Sequence, residues 1–323
     1  MRRKLSVAVM MLMLTASSAL AVHRKEQPPS QASTKTLAER LGYPRDAKLL
    51  IVHADDLGAA HSINRATIKA LESGLVSSAS ILIPCPWLPE IAAYARSHPE
   101  ADLGVHLTLT SEWSPYRWAP VLGRERVPSL LDSNGYLYPL ENEASAHVDI
   151  REAEAEIRAQ IARAKALGIQ PSHLDSHMGT LYQSKALFEV LLRVARENKL
   201  PFRVSRDWFT RAPFMPALLG PDDIVLDRTI SIEPAVAPED WARFYTNEIK
   251  SLRPGVTDMI VHLAFADEEM KGMTSGHPNW GAEWRQRDFE FVTSDAFRKQ
   301  LAENNVKLIT WRELGKLIGK PEH

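Results

Sequence analysis

Residues 48–58 read Lys-Leu-Leu-Ile-Val-His-Ala-Asp-Asp-Leu-Gly, an apolar run ending in a polar cluster. The run from Leu49 to Val52 predicts a strand, and His53–Gly58 closes it. Asp55 and Asp56 are adjacent carboxylates that repel each other, so they favour a nearby cation or a shared proton. The same letters also suit an ordinary turn, since Asp and Gly are common turn residues.

Outward from this stretch, apolar strands alternate with amphipathic helices. A helix is expected over 62–73, with Ser62 at its start and Gly74 at its end. Strands are expected over 78–83, 102–110, near His173, and over 202–205, 224–230, 259–263 and 306–310. Helices are expected over 150–167, 186–197, 238–252 and 295–304. A long insertion after the third strand holds Trp113, Tyr116, Trp118, Tyr136 and Tyr138. Alternation of this kind implies a parallel sheet with crossover helices. Eight strands in a chain of 323 residues fit a (β/α) barrel of the TIM type, with an open doubly wound sheet as the alternative. The first strand-to-helix turn carries no G-x-G-x-x-G, which argues against a dinucleotide site.

Two more strands end in chemistry. In Gly104-Val-His-Leu-Thr108, alternation puts His106 on the face opposite Val105 and Leu107. A lone histidine there also fits a hydrogen-bonded core residue. In Ser172-His-Leu-Asp-Ser-His177, the alternating His173, Asp175 and His177 would point the same way along a strand. Unpaired, such buried groups would cost on the order of 2–7 kcal/mol each, so a site is the better reading. Two imidazoles with a carboxylate and open positions for water form a common catalytic zinc or iron arrangement.

The N-terminus has Arg2, Arg3 and Lys4, an apolar run from Leu5 to Leu14, and Ala19-Leu-Ala21. This is the layout of a secretory signal peptide over 1–21, followed by a linker over 22–35 and a single domain over 36–323. The protein is expected to be secreted or periplasmic, with no stable membrane insertion once the signal is cleaved, because the run is too short to span a bilayer. Cys85 is the only cysteine, so no intrachain disulfide can form. Lys plus Arg is 39 and Asp plus Glu is 40, with no basic stripe, which argues against nucleic acid as a partner.

The segments HADDLG (53–58), GVHLTLTSEW (104–113) and PSHLDSHMG (171–179) resemble the YdjC/ChbG family of carbohydrate deacetylases. The order of motifs is similar from about Leu37 through Val261-His262 to Thr310-Trp311-Arg312, nearly all of the chain after the signal. Leu57, where the family often has Phe, and Met178-Gly179-Thr180, where many members have further histidines, are departures. The resemblance implies a distorted (β/α) barrel and a divalent metal, Zn²⁺ or Mg²⁺, on Asp56, His106 and His177. It implies Asp55 as base and His262 as a second catalytic imidazole, with His173 or Asp175 orienting His177 or the base. The implied reaction is attack of a metal-bound water on the acetamide of an N-acetylated sugar or oligosaccharide. Trp113, Tyr116 and Trp118, with Trp280 and Trp284 in a later polar loop, either offer surfaces for sugar rings or pack the loops onto the barrel. The same ligands would serve a hydrolase acting on a non-sugar amide or ester, and the aromatics alone would serve a secreted sugar-binding protein with a vestigial site.

Overall fold

The computed structural model describes residues 35–319. The signal peptide and nearly all of the linker expected before Lys35 lie outside the described residues. Among the described residues no helix is long and apolar enough to cross a membrane.

Seven parallel strands make the sheet: β1 (Lys48–Leu57), β2 (Ser78–Ile81), β3 (Leu103–Leu107), β4 (Leu174–Ser176), β5 (Arg228–Ser231), β6 (Gly255–His262) and β7 (Val306–Leu308). Their order is β4-β3-β2-β1-β6-β5, and β7 also pairs with β1. β1 is the axis. Its first three residues pair with β7, its last part with β2, and Lys48–Asp55 with β6. Single parallel bridges, Leu174 with Phe202 and Ser205 with Leu226, link the two ends of the path. The sheet therefore curls into a distorted barrel, with helices outside it.

The strand expected over 202–205 is present only as those two bridges, so seven strands form where eight were expected. This segment carries Arg203, whose side chain makes its contacts inside the barrel. The stretch 224–230 becomes β5 at Arg228–Ser231.

Residues Leu49, Leu50, Ile51 and Val52 are buried, as a strand covered on both faces requires. The first helix after β1 spans His61–Glu72, with Ala60 and not Ser62 at its N-cap. The Ser62 hydroxyl instead donates to Glu269 at 2.7 Å, tying this helix to the short helix Glu268–Met273 that follows β6. Gly74 does follow the helix with φ +71°, a conformation suited to glycine. Helix Ile150–Ala166 closes β3: Gln160 donates to the Thr108 carbonyl at 2.7 Å and accepts from its N–H at 2.9 Å. A side chain thus completes the ladder where the strand stops, and the aromatic insertion departs from there.

Gly104 in β3 faces the His173 ring so closely that a Cβ would lie 2.4 Å from it. His173 is stacked on Trp311, with ring centres 5.1 Å apart, so it has no room to retreat. Gly104→Ala is expected to lower stability by about 1–3 kcal/mol, the usual cost of overpacking. Denaturant titration against wild type checks this, and an unchanged midpoint would show that the ring can move.

Candidate active site

The decisive local feature is a bulge in β1. His53 faces Ser78 and Ala54 faces Ala79, but the next partners are Leu57 and Ile81. Asp55 and Asp56 therefore oppose the single residue Ser80. Asp56 takes φ +75°, which is uncommon for a residue with a side chain. Bulges re-aim side chains beside active sites, and here both carboxylates reach the inner mouth of the barrel instead of alternating across the sheet.

Asp56 Oδ1 lies 3.5 Å from His106 Nε2 and 3.4 Å from His177 Nδ1. It is buried and has no hydrogen-bond partner. The ligand-type atoms of Asp56, His106 and His177 all fall within 4.8 Å of one another. An orphaned carboxylate oxygen between two imidazole nitrogens fits a divalent cation.

The far nitrogens of both imidazoles are held by carboxylates. β3 and β4 pair His106 with Asp175, and His106 Nδ1 donates to Asp175 Oδ1 at 2.7 Å. His177 follows β4 at a turn where Met178 and Gly179 have positive φ, and its Nε2 meets Glu112 Oε2 at 2.9 Å. Carboxylate–histidine pairs of this kind fix ring orientation and raise ligand basicity. Burial alone would lower His177, but Glu112 and Asp56 outweigh it and hold the ring up at about 10.

Asp175 thus contacts His106 directly, and it shares Arg203 Nη1 with Asp55. His173 is elsewhere: its Nδ1 meets Ser172 Oγ at 2.9 Å and its ring packs between His53 and Trp311. β4 spans only Leu174–Ser176, and His173 and Asp175 cluster with His53 while His177 clusters with Asp56 and His106.

Below the triad is a buried charge network. Arg203 Nη2 and Nη1 donate to the two oxygens of Asp55 at 3.0 and 3.2 Å. Its Nη1 also lies 3.1 Å from Asp175, and its Nε donates to Asp258 at 2.8 Å. Burial opposes the charge on Asp55, but Arg203 and the neighbouring imidazoles outweigh it and keep this carboxyl far below the usual range. His53 sits between Ser78 and Ser80, 3.1 Å from Asp55. Its burial and Arg203 act against protonation, yet Asp175 and Asp55 raise it to about 9. His262 ends β6 opposite Asp55, and burial lowers it to about 4, leaving a neutral imidazole at neutral pH.

Asp55, Asp56, His106, His177, Arg203 and His262 floor a cavity of about 540 Å³ whose wall includes Trp113, Tyr182, Trp208, His277 and Trp280. Of the three aromatics singled out in the insertion, Trp113 lines this cavity. Trp118 is buried behind it, with Nε1 donating to the Thr110 carbonyl at 2.8 Å. The Tyr116 hydroxyl donates to the Ala59 carbonyl at 2.6 Å. Trp284 lies in helix Ala282–Val292, not in a loop, and packs edge-on against Trp241. Sequence reasoning passed over Glu112, Arg203, Trp208 and Arg285. Glu112 was legible, because it stands inside the second motif two residues after Thr110.

A profile of the YdjC-like protein family matches residues 49–303. The chain belongs to the YdjC-like family. Among its relatives, the carbohydrate deacetylase of Geobacillus stearothermophilus is 28% identical over 277 residues, covering 83% of this chain and 98% of the relative. The carbohydrate deacetylase of Thermus thermophilus is 32% identical over 285 residues, covering 85% and 97%. A solved structure from Enterococcus faecalis V583, described as a candidate cellobiose-phosphate cleavage protein, superposes with a TM-score of 0.71 at 28% identity, covering 83% of this chain and 99% of that one. All three strand-end clusters of this YdjC-like chain fall inside the matched span.

Proposed function

We propose that this chain is a metal-dependent carbohydrate deacetylase that hydrolyses the acetamide of an N-acetylated sugar or oligosaccharide. The observation that carries this reading is the orphaned Asp56 Oδ1 between His106 and His177, at the floor of an aromatic-walled cavity. The names of its relatives support the substrate class. Asp56, His106 and His177 would hold the ion, and two imidazoles with one carboxylate favour zinc or another transition metal over magnesium. When bound, such an ion polarises a carbonyl and lowers the pKa of water.

The chain's own groups divide the remaining work. Arg203 holds Asp55 ionised through both of its oxygens, and Asp55 would act as the proton acceptor. His262 must gain a proton before it can give one to the leaving amine. Asp55, its cross-strand partner, is the natural source of that proton. Trp208 and Trp280 offer apolar faces against which a sugar ring can lie, while the buried Trp113 backs the cavity wall.

The test is acetate release from a panel of N-acetylated sugars and oligosaccharides, simple acetyl esters and short acetylated peptides, with metal analysis of the same preparation. N-acetyl sugars should be the preferred substrates, in proportion to bound metal. Preference for esters or peptides would sink the sugar assignment and leave the hydrolase reading standing.

The signal-type N-terminus supports export as part of this proposal. Native material should begin near Val22 and be found outside the cytoplasm. Intact-mass measurement decides it: a retained Met1 in cytoplasmic protein would overturn export without touching the chemistry.

A further inference from the structure

Arg285 makes contacts that packing does not require. It is 1% exposed and projects from helix Ala282–Val292 toward the cavity. Its Nη2 donates to Asp56 Oδ2 at 2.7 Å, and its Nε donates to the Trp280 carbonyl at 2.6 Å. Its guanidinium lies over Trp113, 5.2 Å from the ring centre. The third nitrogen, Nη1, is buried without a partner. An unsatisfied buried donor costs roughly 1–3 kcal/mol, so stability alone does not account for this residue.

Both groups it grips are conformationally costly. Asp56 has φ +75° and Trp280 has φ +55°. A left-handed backbone is a genuine outlier for a residue as bulky as Trp and persists only when its surroundings enforce it. Next to Trp280, Gly281 sits so close to the His277 carbonyl that a Cβ would be 2.1 Å from that oxygen. The loop carrying His277, Asn279 and Trp280 is thus folded tightly on itself, and its free edge forms the cavity lip.

We propose that Arg285 is a positioning residue that couples this lip to the metal-ligand carboxylate. The coupling rests on the proposed function above. By holding Oδ2, Arg285 leaves Oδ1 alone to face His106 and His177, so Asp56 binds through one oxygen. By holding the Trp280 carbonyl with the same planar group, it sets the lip in register with that oxygen. A substrate that moves Trp280 acts on Asp56 through one rigid fork. Lysine cannot replace it, because an ammonium is a point charge and cannot reach both acceptors in fixed geometry.

The experiment uses the full chain stripped of metal, with Zn²⁺ alone titrated against a chromophoric chelator, and with KM and kcat for an N-acetylated oligosaccharide measured separately. Arg285→Lys should weaken Zn²⁺ binding by about 10–100-fold, the usual cost of losing a group that orients a ligand. It should also raise KM. Trp280→Gly relieves the backbone strain at a partly exposed position and touches no ligand. It should weaken Zn²⁺ binding in the wild-type background and have no further effect beside Arg285→Lys. Unchanged Zn²⁺ affinity in folded Arg285→Lys, or an equal Trp280→Gly effect in both backgrounds, overturns the coupling. If wild type binds no Zn²⁺ and releases no acetate, the functional reading fails, and the coupling fails with it. Zn²⁺ binding by wild type without acetate release sinks the reaction alone and leaves the affinity comparison decisive.

Discussion

Asp55→Asn should keep the metal and lose about 10²–10⁴ in deacetylation rate, the range for loss of a general base. The expectation follows from the bulge in β1, which sends two adjacent carboxylates to different neighbours. Asp55 is gripped by Arg203 through both oxygens and lies 3.8 Å from His106 Nε2. Asp56 gives one oxygen to Arg285 and leaves the other between the imidazoles. Asn at position 55 preserves size and removes the proton acceptor. Asp56→Asn removes the anionic ligand, so it should lose activity through weakened metal binding, and excess metal should partly restore it. Excess metal should do nothing for Asp55→Asn. Metal titration beside acetate release separates the two variants. If Asp55→Asn loses metal while Asp56→Asn retains it, the roles are reversed. Unimpaired turnover in both would place the reaction elsewhere.

What the sequence made legible was whatever obeyed a simple period. The apolar run of β1, the alternation around His106 and the helical spacing of 150–167 all bury apolar residues in the ordinary way, and each element formed close to its expected bounds. The polar strand ends were legible because carboxylate and imidazole do not belong beside apolar runs without a reason. Two of the misses, Arg203 and Arg285, share a physical cause, which is that these supporting residues occupy core positions. Helix Ala282–Val292 buries Arg285 and Asp288 beside Trp284 and Phe289, so its inward face is not apolar and the periodicity is masked. Asp288 accepts from Trp241 at 2.8 Å, Tyr245 at 2.7 Å and the His262 N–H at 3.0 Å, which anchors the end of β6. Residues 202–205 failed to extend as a strand around Arg203. The run of His173, Asp175 and His177 is a different case. Their period is that of a strand, but β4 stops at Ser176, and the turn at Met178 aims His177 independently.

Arg203→Met should be the most destabilising of these substitutions, by about 3–5 kcal/mol near neutral pH, the cost of stranding buried charge. Arg203 is 3% exposed and faces Asp55, Asp175 and Asp258 at 3.2 Å or less. No other arginine or lysine contacts these three among the described ion pairs, so the neighbouring imidazoles would be their only remaining cations. Methionine fills much of the volume, so the loss would be electrostatic and not a cavity. The pH dependence carries the signature. In wild type, Asp55 and Asp175 are held below their ordinary values, since Arg203 and the imidazoles outweigh burial. Groups lowered on folding contribute stability above the unfolded carboxylate pKa, near 4, and lose it as pH falls through their folded values. Without Arg203, burial dominates and pushes these carboxyls up, as it already does for Asp258. The variant's deficit should then be full at pH 7 and should shrink toward pH 4, where its carboxyls take up protons and become neutral. Denaturant titrations of both proteins at pH 7 and pH 4.5 test this. A deficit that is the same at both pH values would mean that Arg203 acts by packing, and that Asp55 is kept ionised by something else.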